Sequence, residues 1–390
     1  MPRRGIFRNV RPSYLILLTA LPFVVYLFLD SERYQSALRF LLPGLGTTAM
    51  VTVIAYVAAS VLGLILAGLQ MLRLGEHTLR NFLLGSVALL LGAAASFAQP
   101  REAYSLIGAS EGRVAIIQGT PASATDRVKS GDYPGAVGAL TVRAVPDTAA
   151  ALERLASGVV AAAFVPSADV PDGTDVTWET TFLAPKWKRP AMLLLVLGAL
   201  GLSLVFAAWQ SGHHPLRLVS ELYVDVLRGI PMLVVILYVG FPLQGAIRDA
   251  TGGLIDMSRV TRGVVGISLG YAAYMAEIFR AGIEAIPKGQ VEAARSLGLT
   301  TWQTARFVVL PQALRIVVPP LGNEFIAMLK DTSLLSVLSV RDITQRAREF
   351  QAANFEVFPP FNTVALLYIV LTLMASSVAK SVERRTSWTR

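Results

Sequence analysis

Four polar side chains interrupt a stretch that would otherwise run apolar: Asn323, Glu324, Lys330 and Asp331, followed at once by Thr332 and Ser333. Placing a charge in the middle of a bilayer costs about 2.5–3.5 kcal/mol, so each charged position is read first as functional. Asn323 with Lys330, and Glu324 with Asp331, stand seven apart, which predicts one polar strip along a helix. Carboxylates, an ammonium and hydroxyls on one strip suit a zwitterion, whose two charges both need partners in low dielectric. Lys330 and Asp331 could instead neutralise each other and hold helices together. A second stripe, Tyr271, Tyr274 and Glu277 at steps of three, continues to Arg280 and Glu284. On a membrane helix such a stripe faces protein or a watery path. Tyr274 and Glu277 therefore join the candidate path, with a structural Glu277–Arg280 pair as the rival reading.

Other chemistries are closed to this chain. It has no cysteine, hence no disulfide and no thiolate site. His77, His213 and His214 lack the spacing of a helix-borne metal site. There is no GxxxxGK[ST] loop, so ATP must be hydrolysed elsewhere if it is used.

The elements that position these residues are membrane helices. The chain has 390 residues, 54% of them hydrophobic and 16% charged, against about 25% charged in soluble domains. The net charge of +9 comes from Lys and Arg flanking apolar runs, which fits a lipid bilayer and not nucleic acid. The runs predict about eight spans of ~20 residues. The first, Tyr14–Leu29, follows Arg3, Arg4, Arg8 and Arg11 and reads as a retained anchor with a cytoplasmic amino end, not a signal peptide. The basic tail Lys380, Arg384 and Arg385 puts the carboxyl end inside as well. If Arg315 marks the inner edge, Glu324 lies roughly 13 Å and Lys330 roughly 22 Å into the core.

The expected fold is thus an all-α polytopic membrane protein with a small inserted external α/β domain. Its parts are an anchor and external linker (1–43), a first core helix (44–78), an extra helix (79–99), the α/β domain (100–189), a second extra helix (190–212) and the remaining core (213–390). Within the α/β domain, Arg113–Gln118, Leu140–Val145 and Val159–Val165 read as strands, and Thr120–Lys129 and Thr148–Ser157 as helices. That alternation predicts a small parallel sheet.

Between Glu284 and Pro311 lies a polar island, EAIPKGQVEAARSLGLTTWQTARFVVLP. Pro287 suits a first helical turn, Gly298 offers the positive φ that stops a helix, and Thr300 with Gln303 forms a capping box. The island predicts a helix, a glycine elbow and a second helix. Glu292-Ala293-Ala294, then Gly298, then Val308-Val309-Leu310-Pro311 resembles the EAA loop of ABC-importer permeases, departing at Val308, where that family usually has Ile. By this resemblance the short helix is a coupling helix that docks on an ATP-hydrolysing subunit, with Glu292, Ala293, Ala294, Gly298 and Pro311 as the coupling residues.

Three further phrases resemble the polar amino-acid branch of that family. They are GLGTTAMVTVIAYVAAS in the first core helix, PLRLVSELYVDVLRGIPML around Arg228, and LPQALRIVVPPLGNEFIAMLKDTSL over the polar strip. The likeness covers 44–72 loosely and 214–385 well. GRVAIIQGT and DTAAALERLASGVVAAAFV resemble the second lobe of periplasmic amino-acid-binding proteins, where a Gly-Thr pair opens a helix that can hold a carboxylate. This makes Gln118, Gly119 and Thr120 a candidate external ligand site, and a degenerate docking or spacing lobe the rival reading.

Together the resemblances imply the permease subunit of an importer of polar amino acids in the bacterial cytoplasmic membrane. The chain itself would bind no cofactor and catalyse nothing. ATP and Mg would sit on a cytoplasmic ATP-binding subunit dimer, with a second permease subunit, identical or related, and a periplasmic amino-acid-binding protein completing the assembly. A secondary transporter would instead show inverted repeats with matching broken helices, which are absent from the sequence. A membrane-anchored sensor would use residues 100–190 as its receptor.

Overall fold

The structure is a computed structural model that describes residues 30–118, 120–183 and 185–386, together with Pro22, Tyr26 and Phe28. Apart from those three residues, the expected anchor and the rest of the amino-terminal segment lie outside the described residues, as does Gly119. The chain divides into two compact units, one formed by residues 1–73 and 216–390 and the other by residues 74–215.

The first helix, α1, spans Glu32–Gln70. It begins at Glu32 and not at residue 44, the expected start of the first core helix. Pro43 removes one backbone donor, while Ala37 and Leu41 upstream are fully buried and hold the helix on course. Most of its buried residues, Ala37, Leu41, Gly44, Thr48, Val51, Ala55, Ala59, Gly63, Leu66 and Gln70, recur at three and four and form one continuous stripe, which Thr52 and Ala67 widen. Gly44 is required for a close approach, since a Cβ there would lie 2.8 Å from the Ile343 nitrogen.

The second unit is a pair of apolar helices carrying a five-stranded sheet. In chain order it contains α2 (Thr78–Phe97), β1 (Arg101–Gly108), β2 (Arg113–Ile117), α3 (Ala122–Ser130), β3 (Thr141–Val145), α4 (Thr148–Ala156), β4 (Ala162–Pro166), β5 (Val176–Leu183) and α5 (Pro185–Ser211). The strand order is β3-β2-β4-β1-β5. Only β3, β2 and β4 are parallel, whereas β1 pairs antiparallel with both β4 and β5, so the sheet is mixed and not parallel. The two unforeseen strands, β1 and β5, continue α2 and α5 almost without a linker. Because the two helices run in opposite directions, Arg101 is brought opposite Leu183. The two sheet faces are covered separately: Ala124 and Val128 of α3 pack with Val114, Ile116 and Phe164, while Ala151 of α4 packs with Ala115, Val145 and Val165.

The first unit resumes with α6 (Pro215–Gly229), α7 (Met232–Tyr238), a π turn (Val239–Leu243), α8 (Gln244–Ala250) and α9 (Arg259–Glu284). There follow α10 (Lys288–Ser296), α11 (Thr301–Thr304), a second π turn (Ala305–Val309) and α12 (Leu310–Asp331). A 3-10 turn (Thr332–Leu338), α13 (Ile343–Asn354) and α14 (Phe358–Thr386) complete it. Val51, Ala55, Ala59, Ile267, Tyr271, Met275 and Met328 form its central core, where α1, α9 and α12 meet. At one end Asp342 is 1% exposed and caps α13, accepting from the Gln345 N–H at 2.8 Å and from the Tyr368 hydroxyl at 3.4 Å.

The fold is mostly helical. Among the described residues, five helices are long and apolar enough to cross a membrane: Glu32–Gln70, Thr78–Phe97, Pro190–Ser211, Met232–Ala250 and Phe358–Thr386. α9 and α12, at 26 and 22 residues, match them in length but carry the polar stripes.

Candidate functional site

The polar island folds into two helices joined by a glycine elbow. Pro287 is the N-cap of α10 and not part of its first turn, since the helix starts at Lys288. At the other end Gly298 sits at φ +82, its N–H bonds to Arg295 O at 2.9 Å, and Leu299 N–H bonds to Ala294 O at 3.2 Å. This is a Schellman stop, and it needs glycine for its backbone alone, because among the described residues nothing lies within 4 Å of the site a Cβ would occupy. Thr300 and Gln303 make both bonds of the capping box. Glu292, Ala293 and Gly298 are exposed, and Ala294 is buried against the scaffold. Pro311 is exposed in the first turn of α12. Leu297, Trp302 and Phe307, 81%, 70% and 64% exposed, add an apolar rim to the same element. A contact that sequence reasoning missed braces it: the Gln312 amide donates to Gln290 Oε1 at 2.7 Å, tying α10 to α12. The pair is separated by 22 positions, and nothing local in the sequence signals it.

The single strip expected from Asn323 to Ser333 is two stripes. Successive helix positions are about 100° apart, so residues seven apart share a face but neighbours do not. Asn323 and Lys330 are exposed, while Glu324 and Asp331 are half-buried toward the core. There the Tyr271 hydroxyl donates to Asp331 Oδ2 at 2.8 Å. Glu324 lies two turns earlier on the same face as Asp331. Just below, Tyr56 donates to Leu321 O at 3.1 Å and sets its ring against Phe325 at 5.1 Å. Among the described residues neither Lys330 nor Glu324 enters an ion pair, so Lys330 and Asp331 do not neutralise each other. Thr332 does not face the strip: it is fully buried and its hydroxyl donates to Leu329 O at 2.7 Å, closing the end of α12. Ser333 is half-buried in the 3-10 turn.

Tyr274 and Glu277 belong to a different cluster. Arg228, at the end of α6, pairs with Glu277 and lies over the Tyr274 ring at 5.7 Å. Arg280 reaches Glu277 at 3.5 Å and Glu284 at 2.9 Å. The expected Glu277–Arg280 pair therefore exists, and Arg228 is its third member.

In the second unit Gln118 is exposed and gives its N–H to Val145 O at 2.8 Å. Thr120 is half-buried, its Oγ1 has no hydrogen-bond partner among the described residues, and α3 opens beyond it at Ala122 with Pro121 as N-cap. Among the described residues no three His, Cys, Asp or Glu side chains gather as metal ligands.

Residues 190–388 match the family described as binding-protein-dependent transport system inner membrane component, and this stretch is half of the chain. The chain belongs to that family. The permease is 38% identical over 192 residues to the glutamine transport system permease protein GlnP of Escherichia coli (strain K12), covering 49% of this chain and 83% of that one. It is 36% identical over 198 residues to the L-cystine transport system permease protein TcyB of Bacillus subtilis (strain 168), covering 50% and 82%. A solved amino acid ABC transporter crystallised with histidines is 39% identical to it, with a TM-score of 0.40 over 44% of this chain and 77% of that one. The polar island, the Arg228 cluster and the polar stripes of α12 all fall within the matched residues, whereas the sheet does not.

Proposed function

We propose that the chain is the membrane-spanning subunit of an ABC importer that carries polar amino acids across the bacterial cytoplasmic membrane. One observation carries this reading: α10 and its glycine elbow form an exposed, pre-set element, held by the capping box and by Gln290–Gln312, that has the form of a partner-docking helix. A cytoplasmic ATP-binding subunit dimer takes this helix and holds the ATP and Mg. A second permease subunit, identical or related, supplies the other half of the pore, and a periplasmic amino-acid-binding protein delivers cargo. The polar cargo class is supported by the glutamine and cystine relatives.

In this reading the membrane is crossed about eight times: by the anchor at Tyr14–Leu29, by the five apolar helices, and by α9 and α12. Both termini are cytoplasmic and the α/β unit is external. Glu324 and Asp331 meet the cargo's ammonium and Lys330 its carboxylate, with Asn323 and Ser333 alongside. The α/β unit serves docking or spacing, and Gln118 and Thr120 mark where a carboxylate would bind if the lobe retains a site.

The test is affinity purification from detergent-solubilised membranes, followed by uptake of labelled amino acids into vesicles holding the purified complex. Co-purification of an ATP-binding subunit and ATP-dependent uptake are expected. Purification of the chain alone, with no uptake, would sink the reading.

A further inference from the structure

The ionic chain at the inner end of α9 takes no part in the polar stripes of α12, yet its position is distinctive. α9 leads into α10 through only Ala285, Ile286 and Pro287. α6 ends at Gly229, and Ile230 with Pro231 breaks it from α7, Pro231 lacking the N–H that would continue the helix. Arg228 is the last charged residue before that elbow. It grips Glu277, Glu277 is shared with Arg280 at 3.5 Å, and Arg280 holds Glu284 at 2.9 Å, one residue before α9 gives way to the connection to α10. The rest of α6 is fastened independently, by the Tyr223 hydroxyl on Leu269 O at 2.7 Å and by Ser220 on Leu66 O at 2.9 Å. Removing Arg228 would therefore free the elbow without releasing the helix.

The side chains of this chain of pairs are between 36% and 58% exposed. Solvent-screened pairs of this kind add little to stability. What sets them apart is that they run without a gap from the elbow to the helix that leads into α10, and coupling between sites needs a contiguous physical connection to an element with two arrangements.

We propose that Arg228, Glu277, Arg280 and Glu284 form a relay that keeps the α6–α7 elbow in step with α10, so that displacement of α10 by the ATP-hydrolysing subunit is passed to the membrane core. The relay rests on the reading of α10 as the docking helix. These four are positioning residues and touch no cargo.

The test uses the complete transporter in proteoliposomes and measures uptake of a labelled amino-acid mixture per ATP hydrolysed. Glu277→Gln and Arg228→Glu should each lower that ratio about fivefold, the size expected of a coupling interaction, while Arg228→Lys, which keeps the charge facing Glu277, holds it to within about twofold. Assembly of the complex and its unfolding midpoint should stay unchanged in Glu277→Gln. An unchanged ratio in Glu277→Gln overturns the relay. So does a lost complex or a lowered midpoint, which makes the cluster a structural staple, and so does an Arg228→Lys ratio as low as that of Arg228→Glu. The docking reading is scored separately, by whether Glu292→Arg still co-purifies with the ATP-binding subunit.

Discussion

Tyr271 and Asp331, sixty positions apart, meet through one hydrogen bond of 2.8 Å from the phenol to carboxylate Oδ2. The bond fixes the last turn of α12 against α9 and gives Asp331 a neutral partner, which leaves its charge free for a cation. Tyr271→Phe keeps the ring in the core and removes the donor. Uptake should then need a several-fold higher cargo concentration for half-saturation, with membrane insertion and ATP-subunit binding unchanged; an unaltered uptake curve would take Tyr271 out of the site. For the same reason Lys330 and Asp331 should not behave as a matched pair. Lys330→Met should assemble normally and keep partial uptake, whereas Asp331→Leu strands the Tyr271 hydroxyl, which costs about 1–3 kcal/mol of stability, and should abolish uptake. Equal phenotypes for the two variants would count against the arrangement.

The glycine elbow gives a second prediction. Gly298 is at φ +82 in open space, so Gly298→Ala meets only the left-handed backbone penalty, about 1–2 kcal/mol. Gly298→Pro cannot adopt that φ at all. Association with the ATP-binding subunit should weaken in Gly298→Ala and vanish in Gly298→Pro and Glu292→Arg, while the unfolding midpoint of the membrane core holds. Normal association in Gly298→Pro would remove the coupling role of this element.

Asp342, in the segment between α12 and α14, supplies a pH signature. Burial pushes its carboxyl up to about 6, against the opposing effect of the hydrogen bonds it accepts. A carboxyl raised in the fold favours the protonated form, so its contribution to stability is fully present below the ordinary value of about 3.9 and is lost as pH rises through about 6. Asp342→Asn keeps the helix cap and cannot ionise. Compared with this variant, the native chain should lose unfolding midpoint between about pH 4 and about pH 6.5 and no further above it; parallel pH profiles for the two would show that Asp342 is not the source.

The orientation of the α/β unit can be read by protease. Pro171, Asp172 and Gly173 are exposed in the connection between β4 and β5. Exposed loop tips are the usual nicking sites. Protease added to right-side-out membrane vesicles should cut there. Cleavage only in inside-out vesicles would invert the topology.

Features set by neighbours along the chain were legible in the residues themselves. The Schellman stop at Gly298, the Thr300–Gln303 capping box and the Thr148 helix depend on groups within about five positions, so residue type and spacing sufficed. The family likeness of residues 214–385 was equally plain, because its phrases are contiguous. Tertiary structure decided everything that joins distant segments. Pairing of β1 with β5 made the sheet mixed. Gln290 found Gln312, and Arg228 took Glu277 into an ionic chain. Packing of α12 against α9 decided which polar residues turn inward: helical spacing places Glu324 and Asp331 on one face and Asn323 and Lys330 on another, but only the position of Tyr271 determines which of those faces meets a hydroxyl. Such contacts depend on how helices are docked, and the spacing of residues along one helix carries no information about what stands opposite.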